Sequence, residues 1–246
     1  MATQGTLSDE KGRWPLAISF QAPERGEVEA TGSATTPAHE QVYQDLRARI
    51  LFGELAPGQQ VTIQGLADAL GSGMTPVREA IRRLISDGAL DFRDNRRVAV
   101  PVLSHSDLEQ IGFARKALET ELTRRAAVRI GPEVLLRLED ADARLDRAIA
   151  AGDVAGYLRL NYRFHALLYM QARAPVIAAM ADRLWLRFGP SLRVVCGRFG
   201  TQNLPDRHKE LLVALRAGDV DAAAEAMAED VAQGLGQVAA VLDRDG

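Results

Sequence analysis

"GSGMTPVREAIRRL", Gly71 to Leu84, carries the reading of the fold. Two glycines and a serine lead into a proline, and Arg78, Arg82 and Arg83 follow within two turns. Thr75 and Pro76 read as N-cap and first helical residue: a hydroxyl satisfies orphan N–H groups, and proline's fixed φ suits a first turn. Such an N-terminus favours anions, because its free N–H groups and its dipole both attract negative charge. The anion is either a nucleotide's phosphates or the backbone of DNA. The stretch lacks the Gly-Lys-Ser/Thr ending of a phosphate-binding loop and no strand precedes it, so DNA is the better reading.

The flanking residues supply the context. In "AHEQVYQDLRARILFGEL" apolar residues recur at Val42, Leu46, Ile50 and Leu51, a helical spacing that Gly53 ends. "APGQQV" reads as a turn and "TIQGLADALG" as a short helix capped by Thr62 and closed by Gly71. The third helix stops at Gly88, and "ALDFRDNRRVAVPVL" offers two β-prone pieces, Ala89–Phe92 and Val98–Val102, around an arginine-bearing tip. Helix, helix, turn, helix, hairpin is the order of a winged helix-turn-helix. In that fold the third helix presents Ser72, Met74, Thr75, Val77 and Arg78 to the major groove, with Arg82 and Arg83 one turn on. The hairpin tip adds Arg93, Asn95, Arg96 and Arg97. Arg78 suits either a bidentate contact to guanine or a phosphate clamp. An amphipathic helix with a solvated arginine face has the same local pattern, and the ordered elements on either side favour the DNA reader.

The chain of 246 residues is long for one small domain and suits two modules. Residues 1–37 are polar and aperiodic and read as a disordered arm, in which "RWPLAISF" is a candidate short strand. Residues 38–103 form the winged helix. From Ser104 to the end, 104–246, runs of 3.6-residue periodicity punctuated by Gly-Asp or Pro predict about six helices in an antiparallel bundle. The fold class is thus mainly α. Net charge is −3, so a nucleic-acid partner needs a local basic surface, and the basic residues of 38–103, balanced by acids overall, cluster on the third helix and hairpin. One cysteine, Cys196, and no apolar run of membrane-spanning length point to a cytoplasmic protein.

Two histidines in the helical half stand out. "NYRFH" puts Asn161 and His165 on one helical face, His208 opens "RHKELLVALRAG", and Asp230 lies in "AMAEDVA". A lone histidine on a helix is more often packed than ligating.

The segment from Val42 to Val100 resembles the GntR-type winged helix, marked by "ILxGxLxPG" and "TPVREALRRL". Met74 stands where that family commonly has a base-contacting arginine, and Arg97 where it often has a wing glycine. Residues 105–240 resemble the FCD ligand-binding domain of the FadR-like branch, whose "RxxLE" matches Arg115–Glu119. The resemblance aligns the family's metal ligands with Asn161, His165, His208 and Asp230; the first has lost its carboxylate and the last histidine has become one. Formal ligand charge is unchanged, and such a set suits Zn, Ni, Mn or Fe. In a decayed site Asn161 and Asp230 would instead be polar residues lining a pocket. The resemblance further implies a small carboxylate effector near Arg115, Asn161, His165 and His208; Arg115 reads equally as a surface pair with Glu119. The expected protein is a homodimeric regulator, in the family's commoner mode a repressor, that binds double-stranded operator DNA and touches no membrane. Two other classes remain: a metal-dependent enzyme using His165 and His208, and a helical interaction module with a vestigial winged helix.

Overall fold

A computed structural model of the chain describes residues 37–94, 97–199 and 207–245. The arm before Pro37, with its candidate strand, and the wing-tip residues Asn95 and Arg96 lie outside them. The first module runs α1 (Ala38–Leu51), β1 (Gln60–Thr62), α2 (Ile63–Leu70), α3 (Met74–Ser86), β2 (Asp91–Asp94) and β3 (Arg97–Ala99). Thr62 caps α2 by accepting from the Gly65 N–H, and Gly71, at φ +58°, closes it in the left-handed region that glycine enters without strain.

Three local expectations need correction. α3 starts at Met74 with Gly73 as N-cap, so Thr75 and Pro76 sit inside the first turn rather than at N-cap and N1. Proline is tolerated there because the first four N–H groups have no intrahelical acceptor. "APGQQV" is not all turn, since Gln60 and Val61 open β1, which pairs antiparallel with β3 in the sheet order β1-β3-β2. So short a strand has no period of its own and exists through a partner far along the chain. The wing strands also shift: Ala89 and Leu90 are buried in the connection after α3, and β3 ends at Ala99.

The second module holds α4 (His105–Ala127), α5 (Pro132–Ala151), α6 (Val154–Gln171), α7 (Pro175–Phe199), α8 (Arg207–Ala217) and α9 (Val220–Asp245), six helices among the described residues. Ser104 and Asp107 form a reciprocal capping box that starts α4 just after the wing. The winged helix is not a bead on a string. Its buried core of Leu46, Ile50, Val77, Ile81, Leu84 and Val98 runs on into Tyr162 of α6 and Trp185 and Leu186 of α7. Gly189 of α7 lets the end of α1 come close, because a Cβ there would collide with the Leu51 carbonyl oxygen. Three ion pairs flank the contact: Arg47–Asp182 at 2.5 Å, Arg159–Glu54 at 3.1 Å and Arg183–Asp87 at 3.3 Å.

Candidate functional site

Two sites follow from this frame. On the winged helix, Thr75, Arg78 and Arg82 are exposed along α3 and Met74 is half-buried. Val77, Ala80, Ile81 and Leu84 face the core, so apolar spacing alone turns Arg78 and Arg82 outward. Arg82 reaches back to Glu79 at 2.6 Å, an exposed pair that a phosphate can displace. Arg97 is exposed on β3. Arg83 is committed elsewhere: it binds Glu40 of α1 at 2.5 Å and stacks 3.7 Å from the Tyr43 ring centroid. Tyr43 in turn donates to Asp87 at 2.8 Å, and burial, then this contact, pushes its phenol up to about 12. Arg83 thus clamps α1 to α3.

Inside the bundle, His165 of α6, His208 of α8 and Asp230 of α9 converge, although 65 residues separate the first from the last. His165 Nε2 lies 3.3 Å from His208 Nε2 and 3.3 Å from Asp230 Oδ2, and His208 Nε2 lies 3.9 Å from Asp230 Oδ1. Donors 2.0–2.2 Å from one tetrahedral ion stand about 3.4 Å apart, so the triangle has the size of a metal site. Both imidazoles are buried and Asp230 is partly open. Burial lowers the pKa of His165 despite Asp230 beside it, which keeps the ring neutral and able to ligate near pH 7. For Asp230 burial acts upward, but the hydrogen bond and charge of His165, then His208 and Arg115, outweigh it and bring the carboxyl down to about 2. Two imidazoles and a carboxylate fit a divalent ion of the zinc-to-iron series.

Asn161, also on α6, lines the cavity that opens beside the triangle, together with Arg115, Trp185, Phe188, His208 and Asp230. Arg115 is fully buried rather than on the helix surface, and its guanidinium is paired with Glu119 at 2.5 Å and lies over Trp185. Burial opposes its charge and Glu119 more than restores it, so it stays a cation on the cavity wall.

Sequence reading passed over Asp142 of α5, Tyr169 of α6 and Trp185 of α7. Asp142 Oδ1 stands 3.3 Å from His208 Nδ1, the Tyr169 hydroxyl 3.0 Å from His165 Nδ1, and the Trp185 ring 4.9 Å from the His165 ring. Asp142 did carry a signal. It is a carboxylate in the apolar stripe Leu138, Ala141, Leu145, Ala148, where an unpaired charge would be costly. Tyr169 lies one turn beyond His165 on the same helical face.

Residues 38–100 match the gntR family of bacterial regulatory proteins, and residues 110–233 match the FCD domain. The chain is 30% identical over 198 residues to the HTH-type transcriptional regulator McbR of Escherichia coli, spanning 79% of this chain and 90% of that protein. It is 27% identical over 206 residues to the E. coli transcriptional repressor RspR, spanning 82% and 89%. The solved structure of E. coli McbR superposes with a TM-score of 0.80 at 28% identity, covering 85% of this chain and 100% of that one. A Rhodococcus GntR regulator shares the fold at a TM-score of 0.68 and 23% identity, covering 82% and 97%. These relatives are transcriptional regulators, which sets aside the reading as a metal-dependent enzyme. No described helix is long and apolar enough to cross a membrane. The chain belongs to the GntR family: it is a DNA-binding transcriptional regulator with a winged helix followed by an FCD domain.

Proposed function

We propose that this regulator is a homodimeric repressor whose operator binding is modulated by a small carboxylate, bound beside a divalent metal in the bundle. The operator-reading module is residues 38–103 and the effector and dimerisation module residues 104–246. Thr75, Arg78 and Arg82, with Met74 beside them and Arg96 and Arg97 of the wing, meet DNA. Arg83 supports them from behind through Glu40 and Tyr43.

The observation that carries the reading is the convergence of His165, His208 and Asp230 at 3.3–3.9 Å, beside a cavity lined by His208, Asp230, Asn161 and the Arg115 cation. The three residues, with Asn161, would hold the metal, which supplies a Lewis-acidic point of attachment for a carboxylate. Arg115 adds positive potential and Asn161 an amide. A dimer would set two α3 helices on a near-palindromic site, and a ligand that prefers one arrangement of the modules shifts the population toward it.

The test is metal analysis of tag-free protein, followed by mobility-shift titration with a panel of small carboxylates at several salt concentrations. One equivalent of metal per chain and a carboxylate-dependent change in affinity for upstream DNA are expected. Upstream DNA bound no better than random DNA would sink the reading.

A further inference from the structure

Each imidazole of the triangle has a partner behind it that settles which ring nitrogen carries hydrogen. The His165 Nδ1 faces the Tyr169 hydroxyl at 3.0 Å, and Tyr169 donates its one proton to Glu119. Glu119 is itself held by Arg115 at 2.5 Å, and all four residues are buried. A hydroxyl that has given its proton to a carboxylate presents only lone pairs to a third group. His165 Nδ1 is therefore the N–H. His208 Nδ1 faces Asp142 Oδ1 at 3.3 Å, long for a hydrogen bond. A carboxylate oxygen nonetheless attracts an N–H and repels a lone pair, and this contact is shorter than the 3.9 Å from Nε2 to Asp230, so this nitrogen too carries hydrogen.

A neutral imidazole has one N–H. The His165 hydrogen is contested, since its Nε2 lies 3.3 Å from Asp230 Oδ2, and the shorter 3.0 Å contact to Tyr169 favours Nδ1. Both Nε2 atoms, 3.3 Å apart, then turn a lone pair toward one point, and the Asp230 carboxylate supplies a third acceptor. A cation seated among these acceptors offsets their mutual repulsion and ends the competition of Asp230 for the His165 hydrogen. We propose that Asp142 and the Tyr169–Glu119 pair are positioning residues that hold His208 and His165 as Nδ1–H tautomers and so reserve both Nε2 atoms for a divalent cation. Arg115 belongs to this outer arrangement as the counter-ion of Glu119. Asp142 on α5 and Glu119 on α4 thereby tie the site to two helices that contribute no ligand. The assignment rests on the reading of the triangle as a metal centre.

The test uses the full-length metal-free protein. Nitrogen-15 NMR reads the tautomers of its four histidines, and calorimetry reads Zn2+ affinity. In the native chain His165 and His208 are both expected as Nδ1–H. Tyr169→Phe removes only the hydroxyl and should move His165 toward Nε2–H while His208 stays. Asp142→Asn, whose amide can turn a donor to the ring, should do the converse. Each should weaken Zn2+ binding by about 10- to 100-fold, the usual cost of losing an outer partner of a ligating histidine. A purely structural role would change thermal stability and leave the tautomers alone. Nε2–H tautomers in the native protein overturn the assignment. So do unchanged tautomers with unchanged Zn2+ affinity in the variants. Should Tyr169→Phe not fold, Asp142→Asn on a separate helix gives both readouts. If the native tautomers are as stated but no Zn2+ binds, the metal-centre reading fails and the positioning assignment stands.

Discussion

Arg47 of α1 and Asp182 of α7 meet at 2.5 Å, both largely buried, and the Tyr162 hydroxyl donates to the same carboxylate. Tyr162 follows Asn161 directly in α6 and packs edge-on against Trp185, which in turn lies against His165. The DNA-binding module is thus seated on the helices that line the cavity.

Asp182→Ala should cost about 1–3 kcal/mol of stability in urea unfolding, because it strands a buried guanidinium and a buried phenol. Arg183→Ala breaks the neighbouring pair with Asp87, whose arginine is 67% exposed, and should cost less than about 1 kcal/mol. Equal losses would show that burial does not set the value of these pairs.

Gly189→Ala should separate the modules by another route. A methyl group there meets the Leu51 carbonyl oxygen, and relief requires α1 or α7 to move. A loss of about 1–3 kcal/mol is expected from such overpacking. Faster proteolysis in the Val100–Ser104 connection should accompany it; unchanged stability would mean the backbones are not in close contact.

The arginines of α3 should divide by role. Arg78→Ala is expected to weaken operator binding by about 1–3 kcal/mol with little change in melting temperature. Arg83→Ala should instead lower stability, since it removes the clamp to Glu40 and Tyr43. Met74→Arg should restore discrimination for guanine at the base pair it faces, read by mobility shift on operators varied at that position. Operator affinity untouched by Arg78→Ala would refute the assignment of α3.

Acid should destabilise the metal-free protein in two steps. The folded pKa of His165 is lowered, so its contribution is present above the unfolded value of 6.5 and is lost as pH falls below it. Asp230, down from 3.8 to about 2, contributes on the order of 2 kcal/mol that persists above pH 3.8 and is lost toward pH 2. Saturating Zn2+ should raise the melting temperature at pH 7 and lose that effect through the histidine range, because protons compete for Nε2. In His165→Gln the first step should disappear.

Much of the architecture was legible because its signals are local. Apolar spacing, the Thr62 and Ser104 caps and the Gly71 and Gly88 stops lie within a turn or two of what they control. They suffice for three short helices before Gly88 and the long ones after Ser104. The same locality explains the misses. Pro76 is compatible with several registers of a first turn, and only the packing of Val77, Ile81 and Leu84 selects the one that begins at Met74. β1 has too few residues for a period and takes its identity from β3.

The order of elements and the outward face of α3 follow from residues close together in the chain, and family resemblance adds the four polar residues of the bundle. The partner of each charge follows from how the helices pack. Arg83 and Arg78 lie a turn and a half apart on one helix, yet Glu40 of α1 takes one and leaves the other exposed. Arg115 reads as a cation for an effector or a surface pair, and burial makes it the counter-ion of Glu119. Asp142 is one acid among many in α5 until folding sets it behind His208. Electrostatic roles depend on distances between residues remote in the chain, and those distances exist only when the helices have packed.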